Sequence, residues 1–221
     1  MELSIDPELR QAAPNVALGV VCASVQVTEH DERLWSLINR RAGEILRTQS
    51  LATLPEVPEI KALRQVFRAT GKEPSRYRGS QESLFRRILQ GKGLDSINTV
   101  VNINNLISLE SRHSAGCYDL ARVRGPVTFR VGRPGESYPG IGKEAINVAG
   151  LPVFVDRDGP FGSPTRDSAR AKVTLSTTEV MLAIISFAGS HRLDEFVQRA
   201  VELLQTHAQA DSGTLRRFMV M

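Results

Sequence analysis

Residues 17–27 are rich in Val and bounded by polar positions, a pattern that predicts an early strand. Next, Leu34, Ile38, Ala42 and Ile45 recur at helical spacing, with Trp35 and Leu46 widening the stripe, and predict a helix. Two prolines make residues 51–58 a linker. Beyond it Ile60, Leu63, Val66 and Phe67 line one face of a second helix, which Gly71 and Pro74 end. Ser80 is placed to cap a third, with Leu84, Phe85, Ile88 and Leu89 inward, Arg86 and Arg87 elsewhere, and Gly91 at its C-terminal end. From 98 to 112 another helix carries Val100, Ile103, Leu106 and Ile107 on its apolar side, with Asn98, Asn102, Asn105 and Arg112 roughly opposite. Asparagine competes with the backbone inside a helix, so three on one face point to work other than helix formation.

After Asp119 the period shortens to two. Val127, Phe129 and Val131 alternate with Thr128 and Arg130, and residues 151–155 and 180–187 predict further strands. Leu193, Phe196, Val197, Ala200, Val201 and Leu204 then give the clearest amphipathic helix in the chain. The tail ends in Phe218-Met219-Val220-Met221, which either docks or frays.

A chain of 221 residues, 41% hydrophobic and 24% charged, is in the range of a globular domain. Asp6 and Glu8 precede the first basic residue, so the N-terminus lacks a secretory n-region. The longest apolar run, 180–189, is about half of a bilayer span. A cytoplasmic protein with no membrane contact is expected. Cys22 and Cys117 fit neither a disulfide framework nor a zinc pattern, and read as buried thiols.

The charge is unevenly placed. Lys61, Arg64, Arg68, Lys72, Arg76, Arg78, Arg86, Arg87 and Lys92 face only Glu73 and Glu82 within their segment, whereas the rest of the chain holds 19 basic and 22 acidic residues. The segment is either an anion-binding face or a solvated one.

Familiar catalytic motifs are missing. Gly140-Ile141-Gly142-Lys143 has Ser137 where a phosphate loop needs Gly and no Ser or Thr after the Lys, so it reads as a turn. His30, His113, His191 and His207 form no metal motif, and no Ser sits in GxSxG. No metal or cofactor is indicated. The densest chemistry lies in residues 156–172, DRDGPFGSPTRDSARAK, either a long polar loop or one whose glycines let a ligand reach backbone amides.

A family resemblance adds to this. The run from Arg86 through Leu94, then Ile97-Asn98, Val101-Asn102-Ile103-Asn104-Asn105-Leu106-Ile107-Ser108-Leu109 and Tyr118-Asp119, resembles the B3/B4 domain of the phenylalanyl-tRNA synthetase β-chain. Gly159 through Ser168, followed by Lys172-Val173-Thr174, is more similar to the single-domain members of that family. The resemblance covers about residues 60–190. It implies an α+β fold: a β-sandwich-like core of unusual topology flanked by helices, within one domain over 1–221. Residues 1–59 would then be a strand-and-helix extension, and 191–221 a C-terminal helix and tail.

The resemblance also implies a pocket for the charged acceptor end of tRNA, with hydrolysis of the ester to a wrong amino acid. tRNA is the expected partner; DNA is not. Asn105 falls at the pocket Asn, Asn104 replaces a neighbouring Thr, and Gly116 stands where the family has His. Ala169 lies near the place of the Glu that reads a tyrosine hydroxyl, so Tyr esters are not the expected substrate. An activated ester needs a positioned water and donors for the oxyanion rather than a strong nucleophile. Asn105 is assigned to the water, Thr165 with the Gly162 and Ser163 amides to the carbonyl, and Asp167 to the general base, unless it only braces Arg166 or Arg170. Ser163 to Ser168 would read the amino acid, and Arg78, Arg87 and Lys92 would contact phosphate. Tyr118 or Phe161 would stack the terminal adenine, unless Tyr118 is core. The competing readings are a non-catalytic module binding RNA or an amino acid, and an interaction domain that meets an acidic protein.

Overall fold

The computed structural model describes residues 1–142 and 145–221. In chain order its elements are β1 (Leu3–Ile5), α1 (Pro7–Ala12), β2 (Ala17–Ser24), α2 (Glu32–Thr48), α3 (Pro58–Ala69), α4 (Ser80–Leu89), α5 (Thr99–Ser111), β3 (Ser114–Asp119) and β4 (Val127–Val131). There follow β5 (Ser137–Pro139), β6 (Ala145–Asn147), β7 (Pro152–Asp156), β8 (Gly159–Gly162), β9 (Glu179–Ser186), α6 (Leu193–Ala208) and β10 (Arg216–Val220).

Two four-stranded sheets form the α+β core, ordered β10-β2-β9-β3 and β1-β4-β7-β8, and β5-β6 is a separate hairpin. Leu18, Val20 and Cys22 of β2 and Met181, Ala183 and Ile185 of β9 pack against Phe129, Val153, Phe154 and Phe161 of the second sheet, which makes the sandwich. The alternate residues of the same strands, among them Val21, Leu182 and Ile184, pack instead on Ile103, Leu106, Val197 and Leu204 of α5 and α6. β2 and β9 are thus buried on both faces, and their continuous apolar runs follow from this. Gly19 lies where α6 approaches closely: a Cβ there would meet Val197 and Leu193.

The predicted flanks contribute to the sheets. β2 pairs with β9 over eight residues, and the tail docks as β10 against β2. Asn98 caps α5 by accepting from the Val101 amide at 2.9 Å, and Asn102 accepts from the Ile97 amide and donates to Ser96. α5 is not amphipathic, since residues on nearly every side of it are buried among α2, α4, α6 and β3. Ser80 is not a cap: Gly79 holds that position, and the Ser80 hydroxyl is buried without a partner among the described residues. Gly140 bridges Ser168, Ile141-Gly142 form a turn, and Lys143 lies outside the described residues. Both cysteines are free and buried. Among the described residues no helix is long and apolar enough to cross a membrane.

Candidate nucleotide-binding site

The loop after β8 is organised by Ser163. Its Oγ accepts from the Thr165 and Arg166 amides, lies 2.9 Å from the Thr165 hydroxyl and donates to the Arg166 carbonyl at 2.8 Å. Tyr138 donates to that same carbonyl at 2.6 Å. The Pro164 carbonyl accepts from the Ser80 amide at 2.7 Å and from Ser114, tying the loop to the start of α4 and to β3. Ser168 is buried, its amide donating to the Phe161 carbonyl.

Beside this loop is a cavity of about 400 Å³ lined by Arg76, Tyr77, Arg78, Ser83, Ile146, Leu151, Thr165 and Arg166. Its arginines come from two segments, the turn before α4 and the Ser163 loop. Among the described residues none of their side chains makes an ion pair or hydrogen bond, although other arginines of the basic segment do. An uncovered guanidinium group favours a ligand carrying negative charge.

Behind the loop, the Tyr118 hydroxyl donates to Asp167 Oδ1 at 2.9 Å, and the Ser163 amide reaches the same oxygen at 3.3 Å. Burial pushes the Asp167 carboxyl up to about 7, and these two hydrogen bonds pull it back only in part. Burial and the neighbouring carboxylate together push Tyr118 well above an ordinary phenol. Gly116 and Gly162 make room for that tyrosine, since a Cβ on either would collide with its ring and hydroxyl. The position where the resemblance expects His is therefore filled by Tyr118, two residues along the same strand face.

The structure brings Gly116, Tyr118, Gly162, Ser163, Thr165 and Asp167 together, with Arg78 across the cavity. Arg166 and Arg170 do not brace Asp167: Arg166 faces the cavity and Arg170 pairs with Asp156 at 2.8 Å. Tyr118 and Phe161 are both fully buried, edge to face with each other, so neither presents a face for an adenine. The Ser163 amide is engaged by Asp167 rather than free for a carbonyl.

Asn104 points at β3, donating to the Ala115 carbonyl at 3.3 Å while its Oδ1 is buried without a partner among the described residues. Asn105 is half-buried and hydrogen-bonds to none of Ser163, Thr165 or Asp167. Arg87 is held by Asp95 and the Gly93 carbonyl, and Lys92 is exposed beyond the C-terminal end of α4. Seven residues of α4, roughly 10 Å of helix, separate Arg87 from Arg78, and the whole of α4, roughly 15 Å, separates Lys92 from it. Arg76, Tyr77 and Arg166 were not singled out from the sequence as site residues; the signal for two of them was an aromatic between arginines, Arg76-Tyr77-Arg78. Among the described residues no cluster of His, Cys, Asp and Glu is arranged to hold a metal ion.

Comparison with known proteins bears on this site. Over 63 residues the chain is 36% identical to the phenylalanine–tRNA ligase β subunit of Chromobacterium violaceum, a match covering 28% of this chain and 8% of that protein. An N-terminal fragment of the phenylalanyl-tRNA synthetase β-subunit from Pyrococcus horikoshii superposes with a TM-score of 0.47 and 12% identity, over 99% of this chain and 50% of that one. The model of the B3/4 domain family matches residues 62–208, from α3 through α6 and including every residue that lines the cavity, and the chain belongs to that family.

Proposed function

We propose that this protein binds the acceptor end of tRNA in the cytoplasm and hydrolyses the aminoacyl ester of mischarged tRNA. The observation that carries the reading is the convergence of Arg76, Arg78 and Arg166 on a cavity that also exposes Thr165, on the loop holding Asp167. Membership of a family with relatives among phenylalanine–tRNA ligase β subunits supports the choice of tRNA.

In this reading the guanidinium groups fix the terminal phosphate and the ester is placed against the Ser163 loop. Asp167 takes a proton from water as its oxygen attacks the carbonyl carbon; a carboxylate near 7 suits that task at neutral pH. The Thr165 hydroxyl, whose proton rests on Ser163 Oγ, turns to donate to the developing oxyanion. The tetrahedral adduct then collapses, the ribose oxygen leaves with the proton from Asp167, and free amino acid and tRNA result. Tyr118 occupies Oδ1, which leaves Oδ2 for the water.

A second reading has its own support. Tyr118 fills the space beside Gly116 and covers Asp167, as in a module that binds RNA ends without cleaving them. Incubation of the purified chain with a panel of correctly and incorrectly charged tRNAs separates the two. Release of amino acid from a mischarged member, lost in Asp167→Asn, supports hydrolysis; tRNA binding without release supports the module.

A further inference from the structure

We propose that the arginine-lined cavity is a mononucleotide pocket, in which Tyr77 stacks the base while Arg166, with Arg76 and Arg78, holds the phosphate. The proposal deepens the reading of the same site, and rests on its placing an RNA end there.

Tyr77 is half-buried and packs against the inter-sheet core, and Lys72 Nζ stands 4.9 Å from its ring centroid. One face of the ring is thus covered by a cation, and Tyr77 also lines the cavity. The local turn fixes it there: the amides of Arg76 and Tyr77 both donate to the Glu73 carbonyl, and Glu73 Oε1 accepts from Ser75. Arg76 and Arg78 flank Tyr77 in sequence, and Arg166 reaches the cavity from the Ser163 loop. Ile146 and Leu151 supply apolar surface, and Ser83 and Thr165 supply hydroxyl groups.

That set matches the three parts of a nucleotide. The base has a π-face for an aromatic ring, the ribose takes hydroxyl contacts, and the phosphate is recognised by planar guanidinium groups. A volume of about 400 Å³ is at the small end of ligand sites, large enough for one nucleotide and too small for a long stretch of RNA. With Tyr118 and Phe161 buried, Tyr77 is the aromatic residue among the described residues of the cavity lining.

The test is calorimetric titration of the full chain with AMP, adenosine and inorganic phosphate. AMP is expected to bind more tightly than either component. Tyr77→Phe should preserve that affinity, whereas Tyr77→Leu should weaken AMP about tenfold, as loss of base stacking does, and leave phosphate binding unchanged. Arg166→Gln alters an exposed side chain, so it carries the test should Tyr77→Leu fail to fold; it should weaken AMP and phosphate alike and spare adenosine. AMP that fails to bind, or that binds wild type, Tyr77→Leu and Arg166→Gln equally, overturns the proposal. Tyr77-dependent AMP binding by a protein that deacylates nothing would remove hydrolysis and keep the pocket. Deacylation unaffected by Tyr77→Leu would do the reverse.

Discussion

Arg64 and Arg86 lie within the same basic segment as Arg76 and Arg78, yet the two pairs have opposite fates. Arg64 makes two hydrogen bonds of 2.9 Å to Glu82, and Arg86 adds one of 2.8 Å, around a carboxylate only 1% exposed. Burial alone would raise that carboxyl, but the two guanidinium groups hold it below the usual range. This knot joins α3 to α4. Arg76 and Arg78, four and two residues before α4 begins at Ser80, are exposed on the cavity instead. The difference teaches that net charge in a segment does not count its available charges. A charge with a buried partner is structural, and one left facing a concavity is offered to a ligand.

The knot should give the largest response to mutation. Glu82→Gln removes the charge that balances two half-buried arginines and should cost about 3–5 kcal/mol by urea denaturation. Arg166→Gln should stay within about 0.5 kcal/mol of wild type. Equal losses would erase the distinction between the two groups of arginines.

Gly116→Ala comes next, with an expected loss of about 1–3 kcal/mol because its methyl group overfills the space held by Tyr118. The same substitution in a Tyr118→Phe background should cost less, since the hydroxyl is the nearest atom it meets. Gly116→His should be worse than Ala and should not raise the rate of hydrolysis. An unperturbed His variant would show that Tyr118 yields the space easily.

Asp167 should reveal itself through pH. Its folded-state pKa of about 7 lies above the ordinary 3.8, so the native state favours the protonated form. The contribution of Asp167 to stability should be greatest below about pH 4, fall as pH rises toward 7, and then level off. Asp167→Asn should therefore stabilise the protein more at pH 8 than at pH 5, as read from urea midpoints at both. An equal effect at the two pH values would mean that the carboxyl is ordinary. The smallest expected effect is in salt dependence. Three guanidinium groups gathered on one terminal phosphate predict a log–log slope of only about −0.7 for tRNA binding, and Arg78→Gln should flatten it further.

Much of the fold was legible in the sequence, for identifiable reasons. α2, α3 and α6 each bury one stripe and expose the other, so their period shows. α5 defeats that signal because it is enclosed, its asparagines serving its N-terminal region and β3. β1 and α1, three and six residues long, are too short to carry a period. At the site, the Ser163 loop and Asp167 stood out by composition. The contact of Tyr118 with Asp167, 49 residues apart, did not, nor did the meeting of Arg166 with Arg76 and Arg78, because pairing across sheets leaves no trace in local spacing. The Gly at 116 was visible as a departure from the family, and its cause is the Tyr118 ring.

In the proposed function the arginines that have no partner among the described residues, and not the knotted ones, hold the RNA end beside Asp167. Single-turnover deacylation of a mischarged tRNA, measured alongside tRNA affinity for wild type, Asp167→Asn and the combined Arg76→Gln, Arg78→Gln, Arg166→Gln variant, tests it most directly. The expected result is release of amino acid by wild type, at least tenfold slower release with tRNA affinity retained in Asp167→Asn, and weakened binding with a preserved fold in the triple variant. Triple-variant binding equal to wild type, or undiminished release by Asp167→Asn, would contradict the account.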